Sequence, residues 1–323
     1  MAERANQVIG WQGISIDAPS DWSVTGFGGD ARSGNLRIDA SNRDAKTVPI
    51  GIEVRWIDNK KPPTPAQLEM RLTELLKAVE KTAKRQKAPV ETWTGPITSA
   101  RGADRPSQIA FRWKAGSAAN GRIWYCSTCG RVVIAQVYGH GGWKFGDQAT
   151  QIIDSIGCHG VELGWRPWAL YGLQTAAPAT YSLSSQQVMN IYLQLNFRQE
   201  RSDETLSIEQ WSLANVQLKD AYLDEWFEVK AGSSLSNVKY VKAEDEVHGH
   251  AALALTGRRG GVLYWLGDGL RSLLQLRIPA TYFDALLWEC ADSNKTYLIQ
   301  TFSRRCQGEL VRQIADRTHC HAE

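Results

Sequence analysis

Gly13-Ile-Ser-Ile-Asp-Ala-Pro19-Ser-Asp-Trp22-Ser23-Val24 returns 159 residues later as Gly172-Leu-Gln-Thr-Ala-Ala-Pro178-Ala-Thr-Tyr181-Ser182-Leu183. Further along, Trp124-Tyr-Cys126 corresponds to Trp288-Glu-Cys290, and Ile134-Ala-Gln136-Val-Tyr138 to Leu298-Ile-Gln300-Thr-Phe302, both at an offset of 164. Ile152-Ile-Asp154-Ser-Ile-Gly-Cys158-His159 corresponds to Ile314-Ala-Asp316-Arg-Thr-His-Cys320-His321 at 162. The order is kept and the offset drifts by a few residues. A repeat this long is a duplicated domain, because solenoid units run to only ~20–50 residues. The boundary falls after the first Cys-His, giving domains 1–160 and 161–323.

Each half reads as mixed α and β. In the first, Asn35 to Ala40 and Ile50 to Ile57 suit strands. Thr64-Pro65 opens a helix with a capping residue and a first-turn proline. Leu68, Leu72, Leu75, Leu76, Val79 and Ala83 follow at helical spacing until Pro89. Strands are expected over Val90–Thr94, Gln108–Lys114, Arg122–Cys126 and Arg131–Tyr138, the last two joined as a hairpin, and a helix over Phe145–Ile156. The second half keeps this order, with its first helix shortened to about Lys219–Phe227 and an apolar insertion, Val262–Ile278, before the final hairpin. Strands with helices on one side describe a two-layer α+β domain.

The recurring Ile/Leu-x-x-x-Ala-Pro-x-x-Trp/Tyr opening, the strand meander and the closing helix resemble the PsbP-like fold. That fold is shared by an extrinsic photosystem II subunit, a Ran-binding nuclear import factor and the chaperones of type VI secretion effectors. The resemblance implies a binding or accessory role rather than catalysis.

Composition bounds the function. The 323 residues carry 43% hydrophobic and 22% charged residues, the balance of a globular chain. A net charge of +3 does not by itself call for a nucleic-acid partner. The basic residues Lys77, Lys81, Lys84, Arg85 and Lys87 complement the dipole at a helix end. No apolar run approaches the ~20 residues of a membrane helix. Met1 to Asn6 lacks the apolar core of a secretory signal, so the expectation is a cytoplasmic protein with reduced thiols.

The chemistry-bearing pattern is Cys126-Ser-Thr-Cys129-Gly130, joined later by Cys158-His159. A Cys-x-x-Cys turn presents two sulfurs to one tetrahedral ion, and a further Cys and His can complete the set. A strand leading away from the turn and a helix returning along it would bring Cys158 and His159 back. Structural zinc is the first reading; buried thiols and a disulfide such as Cys126–Cys158 are the alternatives. The second half retains Cys290, Cys320 and His321, but Ser293 replaces the partner of Cys129, and His319 is the candidate substitute. Cys306 lies at the opposite end of the strand. His248 and His250 could form a ligand pair but read more simply as exposed residues at a strand entrance. A thioredoxin-type role would need the first Cys at a helix N-terminus, and here the motif lies between strands.

No Gly-x-Ser-x-Gly elbow occurs. The resulting expectation is a non-enzymatic binding or assembly module for a protein partner. Leu263, Tyr264, Trp265, Leu266 and Leu270 are its candidate contact residues, with sheet core as the alternative for that segment. An enzyme using the Cys/His centre is the second reading, and nucleic-acid binding the third.

Overall fold

The computed structural model describes residues 6–41, 49–96, 105, 107–141, 143–144, 146–160, 164–199, 202–219, 221–231, 235–260 and 281–321. The chain divides into two compact units, Met1–Val161 with Pro167–Tyr171, and Glu162–Arg166 with Gly172–Glu323.

The first unit opens with a hairpin of β1 (Asn6–Trp11) and β2 (Ile14–Pro19). Gln12 and Gly13 turn it at φ 54° and 82°, the left-handed pair whose twist suits a two-residue hairpin. There follow β3 (Trp22–Gly29), β4 (Ser33–Ala40), β5 (Gly51–Asp58), α1 (Pro65–Arg85), β6 (Glu91–Pro96), β7 (Ser107–Lys114), β8 (Ser117–Tyr125), β9 (Arg131–His140) and α2 (Asp147–Asp154). Strands β3 to β9 make one antiparallel sheet in the order β3-β4-β5-β9-β8-β7-β6. Strand β10 (Trp165–Leu170) pairs with β1 at Gly10 and Ala169.

Helix α1 starts where the sequence places it. Thr64 accepts from the Gln67 backbone while the Gln67 side chain accepts from Thr64, so two first-turn donors are satisfied reciprocally. Its buried Leu68 and Leu72 pack on Phe111, Ile123, Tyr125 and Val132 of the sheet.

Strand β8 corrects the expected layering. Successive side chains alternate between faces. Ile123 and Tyr125 face α1, whereas Arg122 lies on the other face and pairs with Asp154 of α2 at 2.7 Å. Helices therefore cover both faces of the sheet, not one side of a two-layer domain. A central strand buried on both faces carries no alternation from which a helix-free side can be read. The same strand begins five residues before the expected Arg122. Ala118 and Ala119 are fully buried there, and a Cβ on Gly121 would fall 2.2 Å from the Phe111 ring. Small residues hide a strand whose neighbours supply the bulk.

The second unit contains β11 (Leu173–Pro178), β12 (Tyr181–Met189), β13 (Tyr192–Gln199), β14 (Thr205–Ser212), α3 (Ala214–Gln217), α4 (Leu223–Ala231), β15 (Val238–Val247), β16 (His250–Arg259), β17 (Tyr282–Cys290), β18 (Lys295–Ser303) and α5 (Gly308–Asp316). Its antiparallel sheet runs β12-β13-β14-β18-β17-β16-β15, the same order strand for strand as the first. Even an irregularity is duplicated: the register shifts between Val24 and Gly26 in β3, and between Leu183 and Ser185 in β12. The helix expected near Lys219–Phe227 is α4, which starts four residues later and is preceded by the one-turn α3, and buried Trp226 and Phe227 anchor α4 on Phe283 and Leu287. The segment 262–278, with Leu263, Tyr264, Trp265, Leu266 and Leu270, lies outside the described residues. No helix among the described residues is long and apolar enough to cross a membrane.

Candidate metal centres

Cys126 and Cys129 lie in the turn between β8 and β9. The Gly130 amide donates to the Cys126 carbonyl at 2.9 Å, and the Cys126 amide to the Arg131 carbonyl at 2.9 Å. Gly130 closes the turn at φ 70°, a left-handed conformation that glycine adopts without a Cβ clash. The chain leaving α2 reaches the same place through Gly157, which exchanges two 2.9 Å backbone hydrogen bonds with Ser15 of β2. A Cβ on Gly157 would fall 2.5 Å from the Ser15 hydroxyl, so the close approach requires glycine or a shift of that side chain. Arg131 fixes the arrangement from beneath. Its buried guanidinium donates to the carbonyls of Gln12 at 3.0 Å, Cys158 at 3.3 Å and Ala31 at 2.6 Å.

Cys126, Cys129, Cys158 and His159 converge, their donor atoms all within 4.8 Å of one another. The Cys129 and Cys158 sulfurs are 3.9 Å apart. His159 Nδ1 lies 3.3 Å from the Cys126 sulfur and 3.6 Å from that of Cys158. Cys126 and Cys158 are fully buried. Hydrogen bonding from the Cys158 thiol holds Cys129 down to about 5, against opposing burial. The same hydrogen bond, reinforced by burial, pushes Cys158 up, and burial pushes Cys126 up. No disulfide joins any of the six cysteines.

The second unit assembles a related cluster from His250, Cys290, Cys320 and His321, again with all donor atoms within 4.8 Å. Three of its expected members are present, but His319 is not the fourth. The His319 amide donates to Gln174 at 2.9 Å in the bridge equivalent to Ser15–Gly157, and its side chain is exposed. The bridge to Gln174 fixes the backbone at His319 with its side chain outside the cluster, whereas the chain leaves that pairing after Cys320 and His321 turns in beside it. His250, first on β16, takes the place instead. The turn preceding it, with His248 at φ 51° and Gly249 at φ 79°, repeats the tight hairpin geometry of Gln12-Gly13. The His-Gly-His spacing was the available signal; the contact partner, 71 residues away, was not. Cys306 is exposed and donates to Asp284 at 3.3 Å, with no part in the cluster. Lys295 occupies the position of Arg131 and donates to Gly172 O at 2.9 Å.

Either set of four Cys and His donors could hold a metal ion.

No protein-family model matches the chain, and no curated protein does. Among solved structures, it is similar to the Ran-binding protein Mog1p of Saccharomyces cerevisiae, with a TM-score of 0.34 and 13% identity over 49% of this chain and 96% of that one. It is also similar to the type VI secretion immunity protein TplEi of Pseudomonas aeruginosa. The complex of that protein with an "L" peptide gives a TM-score of 0.31 and 10% identity over 99% of this chain and 98% of the other. The apo form gives 0.29 and 9% over 98% and 96%. At these scores neither likeness bears on function.

Proposed function

We propose that this chain is a non-catalytic binding or assembly module of two tandem PsbP-like α+β domains. It works with a protein partner in the cytoplasm, and a structural zinc ion on Cys126, Cys129, Cys158 and His159 closes its first domain. The convergence of those four donors carries the reading. Zinc takes sulfur at ~2.3 Å and nitrogen at ~2.0–2.1 Å in a tetrahedron, so its ligands stand about 3.8 Å apart for two sulfurs and about 3.5 Å for sulfur and nitrogen. The separations of 3.9, 3.3 and 3.6 Å match those edges. A disulfide would need sulfurs ~2.05 Å apart.

Four protein ligands fill a tetrahedral shell, which favours a structural over a catalytic ion, since catalytic zinc keeps one position for water or substrate. The topology supports a structural task. Helix α2 has only eight residues and little stability of its own, and the ion would staple the segment after it to the β8–β9 turn. The contact role of Leu263, Tyr264, Trp265, Leu266 and Leu270 rests on sequence alone.

Metal analysis of the full chain, purified without a metal-affinity step, tests the reading together with a thiol count under denaturing conditions. Zinc in the wild type, reduced by one equivalent in Cys129→Ser, with six reactive thiols after chelation, is expected. Unchanged zinc in Cys129→Ser, or fewer than six thiols, would overturn it.

A further inference from the structure

We infer that the second domain carries a metal site of its own, in which His250, Cys290, Cys320 and His321 hold a zinc-class divalent cation through two imidazoles and two thiolates. The inference does not depend on the first centre being loaded.

The crowding around one nitrogen carries it. His321 Nδ1 lies 3.2 Å from His250 Nε2, 3.4 Å from the Cys290 sulfur and 3.2 Å from the Cys320 sulfur. An imidazole nitrogen either donates one proton or offers one in-plane lone pair, so it can serve only one of those three neighbours well. A cation at the centre serves all of them at once. The spacing agrees: tetrahedral zinc sets nitrogen–nitrogen edges at about 3.3 Å and sulfur–nitrogen edges at about 3.5 Å. Two imidazoles with two thiolates are a borderline-soft set suited to zinc rather than to magnesium or calcium. The Asp292 carboxylate, 3.9 Å from the same nitrogen, is largely exposed and stands beyond hydrogen-bond reach.

The two domains complete their clusters from different places. In the first, the fourth donor is Cys129 in the β8–β9 turn. In the second, that position is Ser293, and the replacement comes from the neighbouring β15–β16 hairpin. Contacts independent of any ion hold that hairpin in place. His248 Nε2 lies 3.0 Å from the Ala315 carbonyl of α5. Arg312 of α5 donates to the Glu246 carbonyl at 2.6 Å and pairs with Asp245. The fourth donor is therefore positioned before metal arrives. The ion would clasp three elements: the β15–β16 hairpin, the end of β17 and the segment after α5.

The test is zinc stoichiometry in the full-length chain, measured for the wild type, His250→Ala and Cys129→Ser. Two zinc ions per chain are expected for the wild type and one for each variant. His250→Cys guards against misfolding of the alanine variant. It should keep both metals, and when loaded with Co2+ it should raise the thiolate charge-transfer band in the ratio of six thiolates to five. One zinc that survives His250→Ala but is lost in Cys129→Ser overturns this site and leaves the first intact. One zinc with the opposite behaviour overturns the first and leaves this one. A chain without zinc overturns both, and an unchanged Co2+ band in His250→Cys also counts against His250 as a ligand.

Discussion

Replacing Arg131 by alanine removes a buried cation whose partners are almost all backbone. Its side chain is 8% exposed, and it donates to three carbonyls, those of Gln12, Cys158 and Ala31. A hydrogen bond to a charged group contributes about 1.5–3 kcal/mol net. Each terminal nitrogen of the guanidinium carries two N–H groups, so the three carbonyls have separate donors, and the expected cost is about 4–5 kcal/mol, the low end for three such bonds. The nearby Asp58 carboxylate, 3.6 Å away and 46% exposed, adds little because water screens it. The second domain supplies the control. Lys295 stands at the equivalent position and reaches one carbonyl, that of Gly172. A lysine that keeps one of the three bonds loses two, so Arg131→Lys should cost about two thirds as much as Arg131→Ala, or about 3 kcal/mol. Urea unfolding read by hydrogen exchange on peptides from β1–β2 and β8–β9 isolates the first domain. A loss under about 1 kcal/mol in Arg131→Ala, or equal losses in both variants, would refute the idea that the carbonyl contacts set the stability.

Thr64→Ala removes one half of the α1 capping box and should lower stability by about 1 kcal/mol, measured as a shift of the urea midpoint. Zinc retention should fall as pH falls, because protons compete for the thiolates. Cys126 and Cys158 are raised, whereas Cys129 is held at about 5, so near neutral pH the first centre should release two protons per metal, countable by titration in weakly buffered solution. Cys320, pushed up to about 11 by burial and the adjacent Cys290, should add a proton on loading the second centre, and metal uptake without proton release would contradict both statements. The basic end of α1 is interleaved with Glu74 and Glu80, so oligonucleotides should bind no tighter than the ~10⁻⁴ M of weak non-specific complexes at physiological salt. Micromolar binding abolished by Lys81→Glu with Lys84→Glu would contradict that.

The sequence alone carried the repeat, because Pro19 and Pro178, Trp124 and Trp288, and Cys158 and Cys320 stand in order at nearly constant offsets. It also carried α1, whose cap, first-turn proline and apolar spacing are local signals, and the Cys/His chemistry of the first cluster, which depends on residue type. Layering was decided by tertiary structure. In β8 both faces are buried, so the residues do not record which of Ile123 and Arg122 meets α1 and which meets α2. The fourth donor of the second cluster was decided there too. His319 is adjacent to Cys320 in the chain but is turned outward by its backbone bridge to Gln174. His250 is brought in by pairing β16 against β17 and by the contact of His248 with α5. Spacing along a chain constrains neighbours within one turn or one hairpin; a ligand delivered across a sheet is fixed by strand order and register, which come from the packing of the whole domain.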